Sequence, residues 1–292
     1  MEPASTRVGV VGGGTMGSGI AIAALTAGFT TLVYEVNDEL AAAVHERVDS
    51  FLAKGVNRGK ISPQQQLDAL ANLTTTTDVD ALADRHVIVE AVYEDLEIKQ
   101  QLWSRLDEVC AEDAIFATNT STLSVTQIAA GSRLPSRVIG THFCNPAPLM
   151  PLVEIVRGRL TSDIVVERTN AWVEALGKRG VIVGDVPGFI VNRVLVPFEN
   201  DCIRMFAAGV ASVQDIDRSV QLGLGYPMGP FTLLDTVGLD IHRAVSLSLF
   251  TQLRDPRFAP PPLVDQMIAA GQLGRKTGRG FYEYDQPGMF GT

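Results

Sequence analysis

The chain is poor in the residues that build disulfide scaffolds and metal centres. Its 292 residues include three cysteines and four histidines. The cysteines (Cys110, Cys144, Cys202) are odd in number, widely spaced and set in apolar stretches. That pattern predicts reduced, buried thiols rather than a disulfide framework or a metal site. Positive charge is also scarce. The 24 Lys and Arg against 33 Asp and Glu leave a net charge of -9, without the basic footprint that nucleic acid or an anionic membrane surface requires. Long apolar runs are missing too. The longest near the start, Ile20 to Phe29, is interrupted by Thr26 and Gly28 and is too short to span a bilayer. Six residues before the first strand-like run leave no room for a leader, so the expected location is the cytoplasm.

What is present alternates with a period that names a fold class. Arg7–Val11, Thr31–Val36, Val87–Glu90, Ile115–Thr118 and Val138–Thr141 read as strands. Helical patterns separate them, from about Thr15, from Asp38 and from Glu94 to Cys110. Such alternation predicts βαβ units and a parallel sheet. The stretch Gly184-Asp-Val-Pro-Gly188 marks a break. Beyond it Phe189–Ala208, Ser212–Leu222, Thr232–Leu253 and Pro262–Ala270 read as helices. The expected organisation is a Rossmann-type α/β domain over 1–186, followed by an all-α domain over 187–292.

The first strand runs into Gly12-Gly13-Gly14-Thr15-Met16-Gly17, a G-x-G-x-x-G at a helix start. The first glycine permits the tight turn, the second lets the backbone approach a pyrophosphate, and the third lets helix and strand pack closely. The second strand ends in Glu35, 21 residues after Gly14, where an acid accepts hydrogen bonds from an adenosine ribose. A carboxylate there repels a 2′-phosphate, and no Arg immediately follows it. NAD is therefore the expected cofactor, rather than NADP.

A second constellation carries acid–base chemistry. His142 ends one strand-like run and Glu154 lies in another (Leu152 to Val156), with Pro146, Pro148 and Pro151 between them. A His–carboxylate pair delivered by two strands is a proton-transfer unit. His45, His86 and His242 fall on polar stretches and are assigned no role.

In order, the glycine loop, Val89-Glu-Ala91, Asn119-Thr-Ser121, Thr141-His-Phe-Cys-Asn-Pro-Ala-Pro148, Leu152-Val-Glu-Ile-Val156, Pro187-Gly-Phe-Ile-Val-Asn-Arg193, Gly225-Tyr-Pro-Met-Gly-Pro230 and Gly274-Arg-Lys-Thr-Gly-Arg-Gly-Phe-Tyr282 span nearly the whole chain. This set resembles the L-3-hydroxyacyl-CoA dehydrogenase family, most closely its short bacterial 3-hydroxybutyryl-CoA members. The resemblance implies that His142 is the catalytic base, oriented by Glu154, and that Ser121 and Asn192 hydrogen-bond the substrate oxygens and the base. It also implies that Glu94, Lys99, Asn119 and Lys276 lie near the cofactor. Lys54 and Arg58, with Lys60 close by, match basic positions where CoA phosphates dock. The partners implied are an acyl-CoA substrate and a second copy of the chain, joined through the helical domain.

Two alternatives keep this mechanism but change the substrate, to an acyl-carrier-protein thioester or to a sugar acid such as L-gulonate. A third is a catalytically silent NAD-binding homologue. The β-hydroxyacid dehydrogenases, which use a catalytic Lys after the first domain, fit less well because Gly188 to Arg193 contains none. The chain departs from the family pattern in Glu35 for Asp, Thr122 for Ser, Cys144 for Phe and Pro151 for Lys. None removes a catalytic group, and Glu35 keeps the chemistry of Asp with a longer reach; Cys144 and Pro151, beside the His–Glu pair, bear on acyl specificity rather than on reaction type.

Overall fold

The computed structural model describes residues Met1–Asp285, in two compact units that divide after Val186. The first unit is one eight-stranded sheet flanked by helices. Its strands are β1 (Arg7–Val11), β2 (Thr30–Tyr34), β3 (Leu73–Thr76), β4 (Val87–Glu90), β5 (Ile115–Thr118), β6 (Val138–Phe143), β7 (Leu152–Arg157) and β8 (Arg179–Gly184). Its helices are α1 (Thr15–Thr26), α2 (Asp38–Asn57), α3 (Pro63–Ala71), α4 (Leu96–Val109), α5 (Val125–Ala129) and α6 (Asp163–Ala175).

The strand order is β3-β2-β1-β4-β5-β6-β7-β8. It reverses direction between β1 and β4, which opens a crevice at the strands' carboxyl ends. The sheet is not wholly parallel, as strand–helix alternation predicted: β7 runs antiparallel to β6. The eight residues joining them are too few for a crossover, whereas an antiparallel return needs only a short loop.

Strand alternation splits the core into two layers. Val8, Val10, Val87, Val89, Ile115 and Ala117 face one cluster with α1, α2 and α6. Val11, Ile88 and Phe116 face the other, with Trp103 and Leu106 of α4 and Ile128 of α5. The Trp103 and Phe116 rings stack with centroids 4.6 Å apart. Residues of both layers are almost fully buried, as parallel strands covered on both faces require.

Several elements differ from the sequence expectation. The polar stretch from Lys54 to Gln66 is the end of α2, a turn, and the start of α3, whose Ser62 and Gln65 form a capping box. Helix α4 begins after Asp95, whose side chain accepts from the Ile98 N–H, so Glu94 stands outside it. Strands β3 and β8 and helix α6 are additional to the expected elements.

The second unit, from Pro187, is helical. It contains α7 (Val191–Ala207), α8 (Val213–Leu224), α9 (Pro230–Val237), α10 (Leu239–Leu253) and α11 (Pro262–Ala269). The single helix expected over Thr232–Leu253 is two, broken at Gly238, whose φ of 103° no helix accommodates. Ile203, Phe231, Leu234, Leu239 and Val264 form its main core. The Asp217 carboxylate accepts from the Phe231 and Thr232 N–H groups at the start of α9. Asp235 likewise accepts from the Phe281 and Tyr282 N–H groups. The two late sequence motifs are thereby tied into this unit by buried carboxylates. Among the described residues, no helix is long and apolar enough to cross a membrane.

The tightest constraint on the cofactor loop is the third glycine. A Cβ on Gly17 would lie 1.7 Å from the Gly12 carbonyl oxygen, a backbone atom that cannot swing away. Gly17→Ala should lower stability by about 2 kcal/mol or more, read as a reduced urea midpoint. An unchanged midpoint would mean that helix and loop are not packed as described.

Candidate active site

The glycine loop leaves β1 at Val11, and α1 follows. Gly14 caps α1 without a side-chain hydrogen bond, and the first turn holds no acid. Among the described residues, no side chain caps this helix start. The loop backbone is braced from behind, because the Ser18 Oγ donates to the Gly13 carbonyl at 2.6 Å. A braced loop at such a helix start fits a pyrophosphate, so Gly12, Gly13, Gly14, Thr15, Met16 and Gly17 suit a dinucleotide. Glu35 follows β2 and is buried, and its Oε1 accepts from the Gly13 N–H at 2.5 Å.

The pairing of His142 with Glu154 comes from the antiparallel reversal. His142 of β6 lies directly opposite Glu154 of β7 in register. Opposed residues point to the same face of a sheet. The His142 Nδ1 is 2.7 Å from the Glu154 Oε2, and both side chains are buried. A carboxylate at Nδ1 orients the ring and stabilises its cationic form, directing proton exchange through Nε2.

A third group of charges supports the neighbouring loop. Lys99 is fully buried, with its Nζ 2.5 Å from the Glu90 Oε1 and 3.4 Å from the Glu94 Oε2. The other oxygen of Glu90 accepts from the Thr118 hydroxyl at 2.6 Å. Glu94 Oε1 then gathers the loop after β5. It accepts from the Thr120 hydroxyl at 2.6 Å, the Ser121 N–H at 2.8 Å and the Thr122 N–H at 3.0 Å. Asn119 ties the same loop to β6, its Oδ1 accepting from the Phe143 N–H, one residue past His142. Asn119, Ser121, His142, Glu154, Glu94 and Lys99 therefore belong to one connected arrangement in the first unit.

The remaining expected site residues are carried by other elements. Lys54 and Arg58 are one helical turn apart at the end of α2, with Lys60 just beyond. A cation at a helix C-terminus is favoured by the macrodipole, so this cluster is stable without a ligand. In the second unit, Asn192 is the second residue of α7. Lys276 is paired with Asp240, its Nζ 2.5 and 2.6 Å from the two carboxylate oxygens.

Three side chains escape sequence reasoning. Glu90 stands out only as part of a motif, with nothing to show that it shares a buried pair with Lys99. Lys178 is buried and donates to the Met150 carbonyl at 2.8 Å, inside the loop between His142 and Glu154. Arg47 reaches the glycine loop from mid-helix, its Nη1 donating to the Gly13 carbonyl at 2.7 Å. His242 is not on a polar face as expected. It is buried between Glu199 and Asn200 of α7.

Burial opposes ionisation of Glu94. The Lys99 ammonium and the hydrogen bonds from Thr120, Ser121 and Thr122 outweigh it and hold the carboxyl below its ordinary value. A carboxyl depressed in the fold stabilises above its unfolded value, and that contribution fades as pH falls through the unfolded and then the folded value. Glu94→Gln should therefore cost stability at pH 7, and the gap from the parent protein should close towards about pH 4. Urea midpoints across that range test this; a gap independent of pH would remove the charge from the explanation.

Residues 7–186 match the 3-hydroxyacyl-CoA dehydrogenase NAD binding domain, and residues 188–284 match the C-terminal domain of the same family. The 3-hydroxybutyryl-CoA dehydrogenase of Mycobacterium tuberculosis is 43% identical over 97% of this chain and 100% of its own length. The mitochondrial hydroxyacyl-coenzyme A dehydrogenase of Sus scrofa is 38% identical over 95% of this chain and 91% of its own. The crystal structure of M. tuberculosis FadB2 superposes with a TM-score of 0.94 at 43% identity, covering 96% of this chain and 99% of that one. With both domain types matched in order along nearly its whole length, the chain belongs to the 3-hydroxyacyl-CoA dehydrogenase family.

Proposed function

We propose that this chain is an NAD-dependent 3-hydroxyacyl-CoA dehydrogenase acting on short acyl groups, with 3-hydroxybutyryl-CoA as the reference substrate. The observation that carries the reading is the buried His142–Glu154 pair, held opposite one another by strand register at 2.7 Å. NAD, when bound, supplies the hydride acceptor. The chain's part is to take the 3-hydroxyl proton at the His142 Nε2 while the Glu154 carboxylate stabilises the resulting imidazolium. In the reverse direction the same nitrogen returns the proton to the alkoxide.

Ser121 is the proposed substrate contact from the first unit. Its backbone N–H is fixed by Glu94, which leaves its hydroxyl to be aimed by a rigid loop rather than a mobile one. Asn192 is the proposed second contact, on the strength of the family resemblance. Glu35, Asn119 and the glycine loop are proposed cofactor contacts. Glu94 is proposed to face the cofactor as well, and Lys99, being fully buried, would act on it through Glu94. Lys276 is proposed as a further cofactor-side cation. Lys54 and Arg58 are proposed to receive the CoA phosphates. The family relation also supports a cytoplasmic homodimer formed through the helical unit. That unit exposes Val194, Leu222 and Leu224, and exposed apolar residues of this kind suit a subunit contact.

The deciding experiment compares NADH oxidation with acetoacetyl-CoA, the same acyl group on a carrier protein, and NAD reduction with L-gulonate. Acetoacetyl-CoA should be turned over fastest, and His142→Gln should lower kcat by about 10²–10⁴-fold with NADH affinity nearly intact. Preference for the carrier protein or the sugar acid would reassign the substrate. Binding of NADH without turnover of any of them would make the chain a silent homologue.

A further inference from the structure

The expectation of NAD rests on Glu35 and on the lack of an Arg immediately after it. In the fold, an arginine from further along the chain does reach this loop. Arg47 lies in the middle of α2, outside any window drawn around Glu35, yet its guanidinium reaches the glycine loop. The residue between the first and third of the three consecutive loop glycines is held from both sides. Its N–H donates to the Glu35 carboxylate at 2.5 Å, and its carbonyl accepts from Arg47 at 2.7 Å. An anion and a cation thus bracket the single residue Gly13, and the anion is the acid that meets an adenosine ribose in this kind of loop.

The two groups are unequally committed. Glu35 is buried, and it accepts from Val36 N–H as well as Gly13. Arg47 forms no ion pair among the described residues, and its hydrogen-bond partner is a neutral carbonyl. That bond uses one of about five guanidinium donors. Since the Ser18 hydroxyl also donates to the Gly13 carbonyl, the loop keeps a brace if Arg47 turns elsewhere. Asp38 and Glu39, in the first turn of α2, add negative charge nearby, but both are exposed and are screened at physiological salt.

We propose that Arg47 is a ready 2′-phosphate partner, so that the Glu35 carboxylate by itself keeps this enzyme on NAD. The inference rests on the dinucleotide reading of the glycine loop. It makes Glu35 and Arg47 a coupled pair. With the carboxylate present, a 2′-phosphate meets a buried like charge. With it neutralised, the guanidinium is positioned to bind the phosphate through charge-assisted hydrogen bonds.

Calorimetric binding of NADH and NADPH tests this without requiring turnover, with 5′-AMP and adenosine 2′,5′-bisphosphate as probes of the adenosine end alone. Glu35→Ser should tighten NADPH relative to NADH by about ten- to hundredfold. Glu35→Gln covers the case in which the shorter serine side chain fails to support the loop, since the amide oxygen still accepts from Gly13. Adding Arg47→Ala to either variant should remove most of the NADPH gain. It should leave NADH affinity within about threefold, because the loop retains its Ser18 brace. A double variant that keeps the gain, or a folded Glu35 variant that binds NADPH no better than the parent, overturns the proposal. Failure of the parent protein to bind NADH would instead overturn the cofactor reading beneath it.

Discussion

The site depends on one reversal of strand direction. Five parallel pairings build the sheet up to β6, and β7 then returns antiparallel. In an antiparallel pair, opposed residues put their side chains on one face at short range. His142 therefore meets Glu154 through backbone register rather than through long flexible side chains. Had β7 followed a crossover and joined in parallel, the same residues would have had no reason to oppose each other. The face they share is the one backed by α4 and α5. Glu90 and Lys99 lie on that face too.

That coincidence explains why so much charge is buried beside the pair. A buried Lys–Glu contact is costly to desolvate and adds little net stability against an apolar replacement. What it does add here is direction. Glu90 has one oxygen on Lys99 and the other on Thr118 of the adjacent strand. Lys99 then reaches Glu94, and Glu94 fixes the backbone of Ser121 and Thr122. The chain of contacts runs from the centre of the sheet to the loop that lies beside His142 through Asn119. Removing any buried member would leave a charge unpaired, so the loop's placement is tied to the stability of the whole unit.

Much of this is legible in the sequence where a local signal coincides with a structural one. The glycine loop, the acid after β2 and the His–Glu spacing each combine a residue type with an element boundary. The fold class follows from alternation alone. What escapes are features set by packing between distant segments. Thr232–Leu253 has continuous apolar periodicity, and only the φ of Gly238 separates α9 from α10. The Lys54–Gln66 stretch resembles a loop because its polar residues hide a capped helix. Arg47 cannot be singled out, since a surface position on α2 becomes a loop contact only when α2 packs against α1. Lys99 and His242 read as polar because burial of a paired charge leaves no mark in composition.

The connection between His142 and Glu154 is where two of the departures from the family pattern, Cys144 and Pro151, stand. With three prolines between positions 146 and 151, it has few N–H donors, so its carbonyls must find partners elsewhere. Lys178 supplies them for Met150 and, more distantly, Pro148, and the Arg179 N–H supplies one for Pro151. On the opposite side Ala147 and Pro148 lie against α1, where a Cβ on Gly19 would come within 3.3 Å of both. The helix that opens the dinucleotide loop and the loop that links His142 to Glu154 are thus in direct contact. Pro151 stands just ahead of β7, a position where a missing N–H breaks no ladder bond within the strand. Burial, reinforced by the Glu154 charge, pushes the Cys144 thiol up to about 11. It therefore stays neutral where an aromatic ring would also be neutral. Both replacements change the shape of the connection between His142 and Glu154 without adding a charge to it.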